Sequence, residues 1–164
     1  MKYLITITLF LTVTIHSFAQ NYTRDAGIGA IDGISFSYRQ FFEDELAYEG
    51  VLSFGDNGIR VYGFKEFLMP AFRRSTDNLF FTYGFGVHAG ITYQNEYQIF
   101  NRKYHVDQEF SPVFGIDGML AFEYYAREIP LVFALGSKPD FEFSMNRYFK
   151  LEAIEIMFLV KYRF

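Results

Sequence analysis

The sequence has no cysteine and no tryptophan, and only four prolines interrupt its 164 residues. Without cysteine, neither a disulfide framework nor a thiolate metal site can form. The 15 basic and 19 acidic side chains leave a formal net charge of −4, and the basic residues do not cluster. The composition therefore gives no indication of nucleic acid or an anionic membrane surface as a partner.

Long apolar runs are confined to the first twenty residues. The chain is 51% hydrophobic with a mean hydropathy of +0.05, and no later segment approaches the roughly 18 apolar residues of a transmembrane helix. At the start, Lys2 precedes an apolar stretch, and Ser17 and Ala19 occupy the positions that a signal peptidase inspects. We therefore expect a signal peptide over residues 1–19 and one exported domain over residues 20–164, with a membrane anchor as the alternative.

Aromatic side chains are abundant, with 22 Phe and 13 Tyr, and at the C terminus they follow a period of two. Alternate positions of the last eleven residues are all apolar, and the interleaved positions include charged residues. Successive side chains of a strand point to opposite faces, whereas a helix would mix the two sets. The segment is therefore predicted to be a strand with one wholly apolar face.

The same alternation recurs along the chain. Turn chemistry at Asp32-Gly33 and at 55–58 separates the segments, and small residues occupy one face of 79–92, as a narrow barrel interior requires. The first segment is weak because Gly27 and Gly29 interrupt it. We predict an all-β fold, an eight-stranded antiparallel up-and-down transmembrane β-barrel, with strands at 22–29, 34–42, 46–54, 59–67, 79–92, 111–124, 131–138 and 151–164.

Two closed barrels fit this pattern. A soluble, exported lipocalin-like binding barrel would turn its apolar face inward, whereas a membrane barrel would turn it toward lipid. The aromatic residues near the strand ends favour the membrane barrel, because such barrels carry aromatic girdles at both interfaces. On that register the lumen holds a charge network of Arg39, Glu49, Arg60, Glu66, His88, Asp117, Glu123, Lys138, Glu155, Lys161 and Arg163.

Buried charges must be paired or hydrated, so these side chains are expected to form salt bridges. Catalysis is the alternative, and a deacylase would need a histidine close to a serine and an acid. No His-x-Ser spacing follows the leader, since His88 and His105 are each followed by other residue types. We expect no catalytic residue, no cofactor and no metal.

Several runs carry a family resemblance. The segments GISFSY from Gly33, YGFGVHAG from Tyr83, GIDGMLAFEY from Gly115 and EIPL from Glu128 resemble those of bacterial outer-membrane β-barrel domain proteins. The chain as a whole resembles the small eight-stranded barrels of the OmpA transmembrane-domain and OmpX type. The resemblance implies a location in the cell outer membrane, with outer-membrane lipid and the barrel-assembly machinery as partners. It also implies a C-terminal insertion signal consisting of Ile156, Phe158, Val160, Tyr162 and Phe164.

The family topology places both termini in the periplasm. Turns at 43–45, 69–78 and 125–130 would then be periplasmic, and 30–33, 55–58, 93–110 and 139–150 would face outside. The longest connection, 93–110, is predicted to be a surface loop for an extracellular protein or glycan ligand, with the contact residues Tyr97, Phe100, Arg102, Lys103 and Tyr104. A structural or surface-interaction role is the main expectation, and a narrow pore or a lipid A-modifying enzyme are alternatives.

Overall fold

The computed structural model describes residues 23–55, 58–72, 78–99, 102–145, 149–152 and 154–164, so the predicted signal peptide lies outside the described residues. The strands are β1 (Arg24–Ala30), β2 (Ile34–Glu43), β3 (Leu46–Gly55), β4 (Gly58–Pro70), β5 (Leu79–Ile99), β6 (Arg102–Tyr125), β7 (Leu131–Ser137), β8 (Asp140–Ser144), β9 (Phe149–Glu152) and β10 (Ile156–Arg163). Within these ranges, no helix has the length and hydropathy needed to cross a membrane.

The strands close on themselves. Consecutive strands from β1 to β6 pair antiparallel, and β1 returns to β10 from Asp25↔Arg163 to Ala30↔Phe158. β7 and β8 pair with successive parts of β6 and so form one wall, and β9 and β10 together form the next wall. In the described part of the chain, the ten strands thus make a closed eight-stranded antiparallel barrel, which confirms the predicted all-β barrel architecture.

Exposure alternates along the walls, and the apolar set faces outward. Strand β3 alternates between buried and exposed positions over most of its length. Ile116 is 63% exposed and Leu135 is 59% exposed, whereas Arg39 and Lys161 are completely buried. The barrel therefore has its apolar side chains outside and its ionic side chains inside.

Glycines in the walls make room for large side chains in the lumen. A Cβ atom on Gly27 would lie 2.8 Å from Cγ of Lys161 and 2.8 Å from Oγ of Ser37. A Cβ atom on Gly115 would lie 2.7 Å from Nε2 of His88. Gly27 weakened the prediction of the first strand, yet its lack of a side chain makes room for Lys161 on the neighbouring wall. The strand itself spans Arg24–Ala30 and pairs with β2 and β10.

The prediction of a loop over residues 93–110 is wrong. Strand β5 continues to Ile99 and β6 begins at Arg102, and the two pair from Tyr93↔Phe110 to Ile99↔Arg102. Tyr97, Arg102, Lys103 and Tyr104 therefore lie in a paired hairpin, and Phe100 lies outside the described residues. Main-chain hydrogen bonds alone can continue a hairpin, and alternating apolar and polar side chains are needed only where one face is buried. The alternation in the sequence can therefore stop here while the strands continue.

The connection predicted over residues 139–150 is also wrong. It contains β8 and the first two residues of β9, and these two strands pair from Asp140↔Glu152 to Phe143↔Phe149. Pro139 and the acidic residues suggested a loop, yet Phe141 and Phe143 point outward while Glu142 points inward. The connection predicted at 69–78 begins later than expected, because β4 continues to Pro70.

Candidate functional site

The lumen contains two groups of ionic side chains. The first, the terminal-end cluster, lies at the barrel end where the Phe164 amide donates to the Arg24 carbonyl at 2.9 Å. The second, the hairpin-end cluster, lies toward the β1–β2 turn and the long β5–β6 hairpin. The terminal-end cluster consists of Asp25, Arg39, Glu49, Glu66, Glu123 and Lys161. The hairpin-end cluster consists of Asp32, Arg60, His88, Asp117, Lys138, Asp140, Glu142 and Glu155.

Arg39 is the centre of the terminal-end cluster. Its guanidinium donates to Asp25 at 2.7 and 2.9 Å and to both carboxylate oxygens of Glu123 at 2.6 and 3.0 Å. It also donates to Glu66 at 3.2 Å and to the Tyr125 hydroxyl at 3.3 Å. These partners come from strands β1, β4 and β6, so one arginine joins walls on different sides of the lumen.

Lys161 is the second cation of this cluster. Its ammonium lies 2.7 Å from Glu49 and 3.6 Å from Glu123. Both Lys161 and Glu49 are almost completely buried. The cluster therefore combines two cations with four carboxylates, and its charge-assisted hydrogen bonds are those that a low-dielectric interior strengthens most.

His88 lies at the centre of the hairpin-end cluster. Its Nδ1 atom is 2.9 Å from both carboxylate oxygens of Asp117, and its Nε2 atom is 3.3 Å from Glu142. Glu142 also accepts a 2.7 Å hydrogen bond from Arg60, which pairs in turn with Asp32. Because both ring nitrogens face carboxylates, a doubly protonated imidazolium satisfies both contacts.

Lys138 completes the hairpin-end cluster. It lies where the wall passes from β7 to β8, and its ammonium is 2.7 Å from Glu155, 3.4 Å from Asp117 and 3.6 Å from Asp140. The same ammonium lies 4.8 Å from the centre of the Tyr62 ring. The irregularity between the two strands thus directs a lysine into the lumen, where several carboxylates and an aromatic face receive it.

An apolar layer separates the two clusters. Along β4 the inward residues run from Glu66 through Phe64 and Tyr62 to Arg60. The two rings stack with their centroids 5.9 Å apart. The layer consists of Ile31, Val51, Tyr62, Phe64, Met119, Ala121, Ala134, Met157 and Leu159. Buried apolar side chains therefore lie between the two groups of charges.

The structure brings ten of the eleven predicted lumen residues into the two clusters. Arg163 is the remaining one, at the terminal end with its guanidinium 4.6 Å from the centre of the Tyr125 ring. Sequence reasoning missed four acids of the network: Asp25, Asp32, Asp140 and Glu142. The alternation of Phe141 and Phe143 with the acids beside them would have indicated the last two.

The residues of the predicted insertion signal lie on the outer face of the closing wall. Ile156 is the most exposed of them, at 73%, and Phe158, Tyr162 and Phe164 are also exposed, while Val160 is half-buried. Strand β10 pairs with both β1 and β7, so it forms the seam at which the barrel closes.

Across the described ranges, no three His, Asp or Glu side chains are arranged to hold a metal ion. No protein-family model, curated protein or solved structure matches the chain. The candidate site is the barrel lumen, which holds two ionic clusters with an apolar layer between them.

Proposed function

We propose that this chain is an integral β-barrel of the bacterial outer membrane with a structural or surface-interaction role. The observation that carries the proposal is the inverted distribution of side chains. Large apolar residues cover the outer face of every wall, and the buried charges lie in the lumen. Soluble monomers rarely expose contiguous apolar patches larger than a few hundred Å². A hydrocarbon solvent removes the cost of that surface, and the pairing of β1 with β10 closes the sheet, as a strand structure within a bilayer requires.

The soluble lipocalin-like barrel is the alternative. It would need an apolar lumen to bind its ligand and a polar exterior to stay in solution. Here Phe36 and Ile116 are 50% and 63% exposed, while Arg39 and Glu66 are completely buried. This distribution favours lipid as the surrounding medium.

The long β5–β6 hairpin supports the surface-interaction role. Strand β4 accompanies β5 only as far as Thr92, and the contact of the β8 segment with β6 ends at the hydrogen bond from the Met145 amide to the Pro112 carbonyl. Beyond these points, the described parts of the two strands pair only with each other. A projecting ribbon of this kind offers two strand edges to a protein partner, which can add a strand by main-chain hydrogen bonding.

Pore and enzyme functions receive less support from the lumen. The apolar layer interrupts the polar path that an ion would follow, and both nitrogens of His88 already face carboxylates. A general base needs a free ring nitrogen within reach of its substrate proton. We therefore propose a role without catalysis.

Cell fractionation combined with electrophoresis of unheated samples tests the proposal. The protein should sediment with the outer membrane, resist extraction with urea or carbonate, and migrate differently before and after boiling. Recovery of folded protein in the soluble periplasmic fraction would instead support the lipocalin-like barrel.

A pair of arginine variants tests whether lipid or water surrounds the outer face of the barrel. Ile116 lies near the middle of the β5–β6 wall, whereas Ile129 lies in a turn and is also exposed, at 50%. Ile116→Arg should destabilise a membrane barrel by about 2–4 kcal/mol, the cost of a cation near the bilayer midplane. Ile129→Arg should change stability by less than about 0.5 kcal/mol. Equal, small effects of the two changes would contradict the membrane proposal.

A further inference from the structure

The outer face of the barrel has a groove over β3 and β4. Gly50 and Gly63 pair across β3 and β4, and nothing lies within 4 Å of the position that a Cβ atom would take on either residue. Tyr38 continues this row on β2 and Val87 continues it on β5. The open space has a volume of about 600 Å³. The missing side chains of two neighbouring glycines thus create a depression between larger residues.

A single cation lines this groove. Lys65 points outward from β4, and its ammonium lies 6.0 Å from the centre of the Tyr48 ring and 5.4 Å from that of Phe67. Among the described strand residues between the two barrel rims, it is the one charged side chain on the outer face. Its described contacts are these aromatic faces, and none of the ion pairs found in the described part of the chain includes it.

A cation on an apolar surface needs a counter-charge. Each ring face contributes about 0.5–1 kcal/mol at an exposed site, whereas a charged side chain within a bilayer is costly unless it is paired or reaches the interface. The β2–β3 turn lies three residues further along, since the Leu68 amide donates to the Glu45 carbonyl at 2.9 Å. Three strand residues span roughly 10 Å, so Lys65 lies just inside the boundary of the leaflet at the terminal end.

We propose that the groove formed by Gly50, Gly63, Tyr38, Val87 and Lys65 binds an anionic phospholipid. This inference rests on the proposed membrane function. The glycine floor and the aromatic walls accept an acyl chain, and the lysine ammonium donates to the phosphate. The complementary charge favours an anionic lipid over a second copy of this chain, because among the described strand residues between the two rims the outer face carries no carboxylate.

The neighbouring acidic turn does not provide this counter-charge. Glu43, Asp44 and Glu45 are exposed at the rim, where water solvates their carboxylates. Salt screens surface charges over a distance of about 10 Å at ordinary ionic strength. The groove lies on the other side of Lys65 from the turn, toward the middle of the barrel. The acids therefore stay in water, and the phosphate is the anion that can meet the ammonium at the boundary.

Native mass spectrometry of the folded protein in micelles tests the site, with dioleoyl phosphatidylglycerol as the probe and the matching phosphatidylcholine as the reference. The wild-type protein should retain one phosphatidylglycerol in preference to phosphatidylcholine. Lys65→Met should weaken phosphatidylglycerol binding about tenfold, the loss expected for one charge-assisted hydrogen bond. Lys65→Arg should retain binding.

A steric pair tests the groove independently of the charge. Gly50→Leu should fold normally, because its new side chain meets no neighbour at Cβ, yet it should reduce binding by filling the groove. Ala89→Leu places the same new side chain on the outer face of β5, away from the groove lining, and should leave binding unchanged.

The outcomes distinguish this inference from the membrane proposal. Equal retention of the two lipids by the wild-type protein, or full binding by Lys65→Met or Gly50→Leu, would overturn the lipid site while the barrel still inserted. Failure of the wild-type protein to enter micelles or vesicles would overturn the membrane proposal itself.

Discussion

Arg39 should be the most costly lumen residue to replace. It carries no solvent exposure and donates to Asp25, Glu66 and Glu123 at 3.2 Å or less. Replacing it with methionine keeps much of its volume but leaves three buried carboxylates without this cation. Removing one partner of a buried ion pair typically costs about 3–5 kcal/mol. Arg39→Met should therefore lower the free energy of unfolding by at least about 3 kcal/mol.

A conservative variant separates charge from geometry. Arg39→Lys keeps the positive charge but cannot reproduce the bidentate contact with Glu123. We expect its loss of stability to fall between the wild-type protein and Arg39→Met. Arg127→Met removes an exposed cation near the same end of the barrel and should change stability by less than about 0.5 kcal/mol.

Urea titration of protein folded in detergent micelles measures these differences, with the folded fraction taken from the unheated gel band. A loss of less than about 1 kcal/mol for Arg39→Met would refute the reasoning. It would mean that water or neighbouring cations already neutralise the acids, so that Arg39 is not the centre of the cluster. If Arg127→Met lost as much stability as Arg39→Met, net charge and not the lumen contacts would be the cause of the effect.

Three further predictions concern the lumen, the closing strand and the long hairpin. Purified protein in planar bilayers should show no steady conductance, because Tyr62, Phe64 and their neighbours fill the lumen between the ionic clusters; a reproducible open channel would favour the pore. Phe164→Asp should block membrane assembly while leaving export intact, since it places a charge on the outer face of the closing wall; normal levels of folded protein in the membrane would contradict this. Replacing residues 96–107 with a short Gly-Ser turn should preserve the heat-dependent gel shift and remove binding to cells or envelope polysaccharide. Loss of folding would show that the hairpin supports the barrel.

The barrel wall could be predicted from the sequence because its side chains alternate between an apolar outer face and a polar lumen. Along β2, Phe36 and Tyr38 face outward while Ser37 and Arg39 face inward, as the period of two indicates. The predicted turn at Asp32-Gly33 is confirmed, and both residues have positive φ values, 51° and 122°. Local pattern and turn chemistry thus agree over most of the wall.

The ends of the walls were harder to predict because hydrogen bonding between strands, and not the burial of one face, determines the structure there. Beyond Thr92, β5 has no neighbour on its β4 side among the described residues, so hydrogen bonding to β6 continues the strand without an apolar face. At Pro139 the chain does not leave the sheet. It passes through a short irregularity and resumes as Asp140–Ser144. Charged residues suggest a loop in the first case, and Pro139 with its neighbouring acids suggests one in the second. In both cases hydrogen bonding to the neighbouring strand decides the structure.

The identity of ion-pair partners could not be predicted from sequence at all. Lys161 meets Glu49 across 112 positions of chain, and Arg39 meets Glu123 across 84. These large separations in sequence follow from the closure of the barrel. Opposite walls face one another across the lumen only once β10 has paired with β1. The sequence pattern predicted an inward set of charges but not which members of the set touch.

Closure and charge pairing therefore depend on each other. A slip of one residue in any wall would turn its charged side chains toward the outer face and its aromatic side chains into the lumen. A slip of two would keep the faces but would shift the charges of that wall by roughly 7 Å along the strand, toward the apolar layer or out of reach of their partners. Only one register lets Arg39 meet Asp25, Glu66 and Glu123 while Phe64 stays between the two clusters. We therefore expect the buried ions to penalise misaligned barrels, because an ion that misses its partner in a low-dielectric interior costs several kcal/mol.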